Sequence, residues 1–320
     1  MTLLVTGAMG HVGLEVVREA AAAGESIVAQ YRKTFRDADT REIGGEVTWA
    51  SSDLSDPAIV ETLCRRHPIR GCIHAAAIPN EKQARPQPLG AFQSNVTATA
   101  NLLDMARRFE WRRFLLVSTG SVFQNATDIS RPILEDAQPS VSNVYSTTKY
   151  CGELLARMYR SQFDLSAAVV RISWVYGPPL VTDDPPRGPV PVLLKAAVVG
   201  QPIRLPSGAD FAASFTFVRD VAAGLLAAWR APELRHDVYH LGPGVNYTAR
   251  QVADAVRAAV PGACLELGPG TEPWTIHTRM RGPLAGDRLR QDAGFTLGHS
   301  LQQGIAAYAE WMRAHPAMLR

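Results

Sequence analysis

Hydrophobic and polar positions follow two different periodicities along the first half of the chain. Short apolar or β-branched runs predict strands, and between them apolar residues recur at helical spacing. The predicted strands cover residues 3–6, 26–31, 46–50, 71–76, 113–118 and 166–172. The predicted helices lie near residues 11–23, 57–66, 90–108 and 144–163. Strands that alternate with helices predict parallel βαβ units with helices on both faces, which is the doubly wound α/β class.

The pattern changes after Gly177, where proline and glycine interrupt the chain repeatedly. Further helices are predicted near residues 190–199, 219–230, 248–259 and 301–313. Loops over the strand ends of a rigid sheet usually carry specificity. We therefore expect residues 1–176 to form the main sheet domain. Residues 177–320 should form mainly a smaller C-terminal substrate-binding lobe, with some segments returning to the sheet.

Composition and charge argue against several kinds of protein. The 320 residues carry a net charge of +3 with scattered arginines, so we expect no nucleic-acid partner. No apolar run reaches the roughly 18 residues of a membrane span, and we expect no membrane association. The cysteines lack paired spacing, which favours reduced thiols and a cytoplasmic location. His236 and His240 are four apart without an HExxH pattern, and we predict no metal site.

A glycine-rich segment, VTGAMGHVG, joins the first predicted strand to the first helix and places glycine at positions 7, 10 and 13. The first glycine allows a tight turn, the second a close approach to a pyrophosphate, and the third close helix–strand packing. This context predicts dinucleotide binding, and the alternative is a glycine-rich turn without a ligand.

The end of the second predicted strand bears on the choice between NAD and NADP. An acid there would bind the ribose hydroxyls and repel a 2′-phosphate, but the strand ends in Tyr31, Arg32 and Lys33. Arg32 can pair with a 2′-phosphate through its planar guanidinium. NADP is therefore favoured over NAD, although both cations could simply face solvent.

Tyr145 and Lys149 lie four residues apart at the start of a predicted helix and so share one face. The lysine cation would favour the tyrosinate and lower a pKa that is ordinarily near 10, so the phenol could exchange a proton with an alcohol. The alternative is an exposed pair that contributes only to helix stability.

These motifs, together with the segment STGSVF at 118–123, resemble the extended short-chain dehydrogenase/reductases, the NAD-dependent epimerase/dehydratase family with its Rossmann fold. The likeness extends over nearly the whole chain and includes VVRISWVYGP at 169–178 and FVRDVA at 217–222. It implies that Tyr145 is the catalytic acid/base, that Lys149 contacts the nicotinamide ribose, and that Thr119 binds the reacting oxygen. Ser118 and Ser121 are alternatives to Thr119. It also implies a homodimer that pairs helices 90–108 and 144–163.

The resemblance also implies two sets of contacts. The cofactor-binding residues would be Gly7, Met9, Gly10, His11, Val12, Gly13, Tyr31, Arg32, Asp53, Leu54, Ala75, Ala76, Ala77, Asn95, Tyr145, Lys149 and Ile172. The substrate-binding residues would be Thr119, Gly120, Ser121, Tyr145 and Trp174. Asp53 could equally be a turn former, and packing explains the alanines nearly as well.

Departures from the family pattern bear on the substrate. Gly120 and Ser121 follow Thr119 where 4,6-dehydratases have an Asp-Glu or Ser-Glu pair whose carboxyl groups move protons, which disfavours dehydration. Trp174 and Ala213 stand where sugar-nucleotide epimerases hold a diphosphate, which leaves Arg279 or Arg281 to supply that charge. Other arginines in the second half could meet a carboxylate or could face solvent, namely Arg187, Arg204 and Arg219.

We therefore predict an NAD(P)-dependent oxidoreductase that transfers hydride between a nicotinamide and a hydroxyl or keto carbon of a small molecule: a sugar, a sugar acid or a similar small polyol. The first alternative is a UDP-hexose type nucleotide-sugar 4-epimerase with tightly bound NAD. The second is a non-catalytic NADP-sensing protein, which the Tyr-Lys pair disfavours.

Overall fold

The structure is a computed structural model that describes residues 2–125, 128–184 and 187–319. Its strands are β1 (Thr2–Thr6), β2 (Ser26–Tyr31), β3 (Val47–Ser51), β4 (Ile69–His74), β5 (Arg113–Thr119), β6 (Ala167–Ile172), β7 (Trp174–Tyr176), β8 (Ile203–Leu205), β9 (Ala212–Ala213), β10 (Phe215–Phe217), β11 (Val238–Leu241), β12 (Tyr247–Thr248) and β13 (Leu265–Leu267). Its α-helices are α1 (His11–Ala22), α2 (Asp37–Thr40), α3 (Pro57–Arg66), α4 (Glu81–Ala84), α5 (Pro88–Phe92), α6 (Ala98–Arg108), α7 (Val144–Phe163), α8 (Pro189–Val198), α9 (Val218–Arg230), α10 (Ala249–Ala259), α11 (Arg288–Ala293) and α12 (Leu301–Ala314).

A seven-stranded sheet forms the centre of the fold, in the order β3-β2-β1-β4-β5-β6-β11, and every neighbouring pair is parallel. The predicted doubly wound sheet is confirmed. The strand order reverses direction between β1 and β4, where Thr6 pairs with His74 at the carboxyl ends. A crevice at such a reversal is the usual ligand site of this architecture.

Alternating residues of the strands feed two separate cores, because successive side chains point to opposite faces. Leu3 and Val5 of β1 pack with α1 and α9 on one face, whereas Leu4 packs with α3, α6 and α7 on the other. Both faces are therefore covered, as a parallel sheet requires.

The second half of the chain contributes to both parts of the structure. α9 packs on α1, and β11 extends the main sheet beside β6. A separate core gathers α8, α10 and α12 with the strand pairs β7/β10, β8/β13 and β9/β12. Loops of this second part of the chain contribute one wall of the cavity over the sheet.

Some element boundaries differ from the predictions. The fourth strand ends at His74, so Ala75 and Ala76 lie in the following loop and not in the strand. The helix predicted over 90–108 is α5 and α6 joined by a π-helical turn over Gln93–Thr97. None of the described helices is both long and apolar enough to cross a membrane.

Candidate active site

A cavity of about 810 Å³ opens at the carboxyl ends of the central strands. Its wall includes the glycine loop after β1, the residues that follow β2 and β4, the end of β5 and the start of α7. The segment Trp274–Arg281 and the loop after β7 contribute to the opposite side through residues such as Trp274, His277 and Leu180. The cavity therefore lies at the strand reversal, between the sheet and the second core.

The glycine loop comes too close to its surroundings to accept side chains. Gly7 has φ +65°, and a Cβ built on it would lie 2.8 Å from the backbone of Ala76. A Cβ on Gly13 would lie 2.3 Å from the carbonyl oxygen of Gly7. Gly10 begins α1 without any side-chain cap, so the first amides of that helix are presented to the cavity. An uncapped helix N-terminus beside such a cradle fits the pyrophosphate of a dinucleotide.

Gln30 holds this loop in place, a role that the sequence did not indicate. Its Oε1 accepts a hydrogen bond from the Gly7 amide at 3.1 Å, and its Nε2 donates to the Ser52 carbonyl at 2.7 Å. The side chain thus ties the first turn to the end of β3. No short motif marks such a contact, because it joins residues 23 positions apart.

Positive charge collects beside the end of β2. Arg32, Lys33 and Arg36 line the cavity there with Asp39 and Asp53. Arg36 is already engaged, with Asp39 and with the Met9 carbonyl. Hydrogen bonds from Ser55 lower the pKa of Asp53, and the nearby cations Arg32 and Lys33 lower it further.

The end of β5 and the start of α7 bring Thr119 and Tyr145 together. Burial raises the pKa of Tyr145, while the Thr119 hydroxyl and the charges of Arg281 and Arg187 lower it. The Thr119 Oγ1 accepts a hydrogen bond from the Ser121 amide at 3.1 Å. Glu81 accepts a hydrogen bond from the Tyr145 backbone amide at 2.9 Å, which fixes the first turn of α7.

Lys149 lies on the same face of α7, one turn further on. Its Nζ donates to the Val117 carbonyl at 2.7 Å, and burial lowers its pKa to about 8 despite the opposing effect of Glu153. The groups that lower the pKa of Tyr145 are thus Thr119, Arg281 and Arg187, which differs from the expectation that Lys149 does so. The reason is geometric, because the Lys149 ammonium is directed at a backbone carbonyl of β5.

Behind Lys149 lies a buried polar network. Glu153 forms an ion pair with Arg171 at 2.7 Å, with both side chains almost fully buried. Ser118 donates to the same carboxylate at 2.5 Å. The Ser118 hydroxyl is therefore engaged on the far side of the strand end, whereas Thr119 is the hydroxyl beside Tyr145.

Most of the residues predicted to form the site line the cavity. Asn95 does not, because its Oδ1 accepts from the Ile78 amide at 2.8 Å and its Nδ2 donates to Thr148 at 2.9 Å. Its amide fixes the loop after β4, and its role as a cofactor contact stays a prediction. Gly120 is likewise not on the wall, because the side chain of Arg281 lies over it, 3.1 Å from the position that a Cβ would occupy.

The three arginines for which a carboxylate partner or solvent remained open have different surroundings. Arg204 pairs with Glu266 and Arg219 with Glu15. Arg187 lines the cavity, as does Arg281, whereas Arg279 is exposed and outside its wall. Within the described ranges, no group of three or more His, Cys, Asp or Glu side chains could hold a metal ion.

His11 joins the glycine loop to the second half of the chain. Its Nε2 lies 2.9 Å from the Gly177 carbonyl, and burial lowers its pKa to about 4. The ring is therefore neutral near pH 7 and donates to that carbonyl from Nε2.

Comparisons with known proteins find relatives of this sequence and of this fold. The UDP-glucose 4-epimerase of Mycolicibacterium smegmatis is 27% identical over 98% of this chain and 99% of its own. A dTDP-4-dehydro-6-deoxy-D-allose reductase from a Streptomyces species is 28% identical over 73% of this chain and 74% of its own. The UDP-glucose 4-epimerase of Thermus thermophilus, solved with NAD, superposes with a TM-score of 0.84 at 23% identity, covering 98% of this chain and 99% of its own.

The sequence model of the NAD dependent epimerase/dehydratase family matches residues 3–242, which include β1 to β11 with the glycine loop, Thr119, Tyr145 and Lys149. The Mycolicibacterium smegmatis relative matches over nearly the full length of both chains. On this match, the chain belongs to the NAD-dependent epimerase/dehydratase family.

Proposed function

We propose that this protein is an NAD(P)-dependent oxidoreductase that transfers hydride between a nicotinamide and a hydroxyl or keto carbon of a sugar, sugar acid or similar small polyol. The observation that carries the proposal is that Tyr145, Thr119 and the glycine loop line one cavity. A proton-exchanging phenol and a dinucleotide cradle on one wall are the two requirements of this reaction.

Tyr145 and Thr119 divide the work on the reacting oxygen. The Thr119 Oγ1 accepts from Ser121, and its hydroxyl hydrogen stabilises the Tyr145 oxygen. A bound substrate oxygen would take that hydrogen bond in place of Tyr145. In ketone reduction, the Tyr145 phenol gives its proton to that oxygen while the carbonyl carbon gains a hydride. In alcohol oxidation, the tyrosinate takes the hydroxyl proton as the hydride leaves the carbinol carbon.

Burial favours the protonated state of Tyr145, since it raises the pKa of the phenol. A protonated phenol is the form that donates the proton in ketone reduction, whereas the charges of Arg281 and Arg187 favour the tyrosinate that alcohol oxidation requires. When bound, the nicotinamide would supply or accept the hydride. Lys149 would orient the nicotinamide ribose with the donors that Val117 leaves free.

We propose NADP as the preferred cofactor. Arg32 and Lys33 line the cavity beyond β2, which ends in Tyr31 without an acidic residue, and Asp39 and Asp53 line the same part of the wall. Arg32 donates to Ser94 at 3.3 Å, a solvent-exposed contact that a 2′-phosphate could replace. A preference for NADP matters most for an enzyme that releases its cofactor after each turnover and binds a new one from the cell. The preference therefore favours net oxidation or reduction over epimerisation with a retained cofactor.

The second candidate function is epimerisation with a retained cofactor, which the names of the relatives favour. Purified protein would be incubated with an excess of NADP or NAD and a panel of sugars and sugar acids, and absorbance of the reduced nicotinamide followed. Reduced cofactor that accumulates well beyond the amount of enzyme supports net redox. Conversion of a sugar without such accumulation would establish the epimerase instead.

Arg32→Glu tests the cofactor preference separately. It should weaken NADP more than NAD in equilibrium titrations, while Arg41→Glu, a change of the same charge in an exposed arginine paired with Asp37, should alter neither. Equal losses for both cofactors in Arg32→Glu would contradict the preference for NADP.

We also propose that the protein is a cytoplasmic homodimer. Exposed apolar side chains are carried by α5 and α7, namely Leu89, Phe92, Leu154, Met158 and Phe163. Covering these side chains in a second copy would remove exposed apolar surface from water. Sedimentation velocity should give a dimer, and Met158→Asp should shift it towards monomer. The four cysteines are free thiols among the described residues, which suits a reducing compartment.

A further inference from the structure

Arg281 is a buried cation in the cavity wall. Its side chain is 7% exposed, and burial lowers its pKa to about 10. Across residues 2–125, 128–184 and 187–319, its guanidinium makes no ion pair with a carboxylate and no hydrogen bond to a protein acceptor. A buried arginine is ordinarily paired, because the charge is costly to remove from water.

Two other arginines of the described chain are as deeply buried, and both have full sets of partners. Arg113 donates to the carbonyls of Ala228, Trp229 and Ala231. Arg171 forms a bidentate pair with Glu153. The comparison isolates Arg281 as the buried guanidinium whose donors face the cavity and not the protein.

Arg281 lies at the reacting end of the cavity. Its Nε is 3.1 Å from the position that a Cβ on Gly120 would take, and Gly120 directly follows Thr119. Its charge also acts on Tyr145. The absence of a side chain at position 120 therefore makes the room in which the guanidinium sits, one residue from the catalytic hydroxyl.

The backbone around Arg281 is fastened on both sides, so the position does not depend on a ligand. Asn246 donates to the Arg281 carbonyl at 2.8 Å, and Gln124 accepts from the Arg279 amide at 2.9 Å. A parallel bridge joins Leu284 to Ile133. A preformed cation binds an anion without an ordering cost at the moment of binding.

We propose that Arg281 binds a carboxylate carried by the substrate next to its reacting carbon, so that the substrate is a sugar acid. This inference rests on the proposed function and narrows its substrate class. A guanidinium matches a carboxylate with two parallel hydrogen bonds. A diphosphate on the anomeric carbon would lie a sugar ring away from the reacting carbon, whereas Arg281 lies beside Thr119 and Tyr145.

The test compares acids with their neutral counterparts. The probes are D-glucuronate and D-galacturonate, D-glucose and D-galactose, and UDP. Dissociation constants would be measured with NADPH present, so that no alcohol is oxidised, through the fluorescence of Trp174 and Trp274 in the cavity wall. Wild type should bind at least one acid about tenfold to a hundredfold more tightly than its neutral partner, the range of a charge-assisted hydrogen bond.

Arg281→Gln should abolish that preference, and Arg281→Lys, which keeps the charge and guards against loss of folding, should retain part of it. Arg279→Gln removes an exposed charge two positions away and should leave the preference intact. Gly120→Ala should weaken acid binding, because the new methyl displaces the guanidinium.

Three results would overturn the inference: no acid binds better than its neutral partner, the preference survives in Arg281→Gln, or that variant loses UDP affinity and not acid preference. The last would identify a diphosphate as the natural anion. If acid binding depends on Arg281 but no sugar ever reduces or oxidises added cofactor, the proposed function fails and only the role of Arg281 as a carboxylate-binding residue stands.

Discussion

Replacing Glu153 with glutamine should destabilise the fold strongly while keeping its shape. The carboxylate is fully buried and accepts hydrogen bonds from Ser118 at 2.5 Å and from Arg171 at 2.7, 3.1 and 3.2 Å. Glutamine retains the volume but leaves the Arg171 charge uncompensated at 2% exposure. Breaking a buried pair from one side costs about 3–5 kcal/mol. This loss is a large part of the free energy of unfolding, which is usually about 5–15 kcal/mol.

The assay is urea unfolding of Glu153→Gln, and separately of a cycle made of Glu153→Met, Arg171→Met and the double variant Glu153→Met/Arg171→Met. Replacing both partners with apolar side chains removes the uncompensated charge, so the double variant should lose less stability than the sum of the single changes. A loss below about 1 kcal/mol in Glu153→Gln would refute the reasoning. So would strict additivity in the cycle.

The same change should also alter the pH profile of the enzyme through Lys149. Glu153 raises the pKa of Lys149 against the effect of burial, which brings it to about 8. Without that carboxylate, the Lys149 pKa falls further, so the ammonium is lost at a lower pH. The alkaline decline of kcat/KM that depends on Lys149 should therefore move to lower pH in Glu153→Gln. An unchanged decline would mean that the two groups do not interact.

Three further predictions address the cradle, the phenol and the buried lysine. Gly13→Ala should abolish cofactor binding in equilibrium titrations, since its Cβ would lie 2.3 Å from the Gly7 carbonyl, whereas Gly44→Ala, with open space around it, should bind normally; normal binding by Gly13→Ala would contradict the close fit. Tyr145→Phe should lower kcat by about 10²–10⁴-fold with cofactor affinity retained. Unchanged turnover would exclude a proton-transfer role for Tyr145, and unchanged cellular activity of this variant would favour the sensor alternative. Lys149 has a folded pKa near 8 against 10.5 for a free side chain, so the unfolded state binds more protons between these values and wild-type stability should rise with pH across that window. Lys149→Met should therefore be more stable than wild type at pH 7 by at most about 3 kcal/mol, and the difference in urea unfolding should shrink by pH 10; an equal difference at both pH values would show that the pKa is not lowered.

The fold, the glycine loop and the pair of Tyr145 and Lys149 could be predicted because each depends on residues that are close together in the sequence. The strands alternate with amphipathic helices, and the glycine spacing of 7, 10 and 13 and the pair of Tyr145 and Lys149 each fall within a few residues of one another. Such patterns report the period of a helix or the geometry of one turn, which depends on few residues.

The remaining contacts could not be predicted because they join segments that are distant in sequence. Arg281 reaches Gly120 from 161 positions away, and nothing around it repeats a motif. Asn95 fits the family pattern, yet its amide is consumed by Ile78 and Thr148, which only the packed helices reveal. Helical spacing places Tyr145 and Lys149 on one face of the helix but does not determine where each side chain ends. The contact of the Lys149 Nζ with the Val117 carbonyl could therefore not be predicted.

Gln124, Asn246 and Ile133 hold the chain around Arg281 in place. Substrate binding by Arg281 and hydride transfer at the sheet therefore depend on different parts of the molecule. The redox machinery is carried by the ends of the sheet, while the group offered to the substrate hangs on a short irregular stretch that forms no part of that sheet. Substitutions at a few positions near Arg281 could therefore change which substrates the protein accepts. The residues that serve hydride transfer would remain the same.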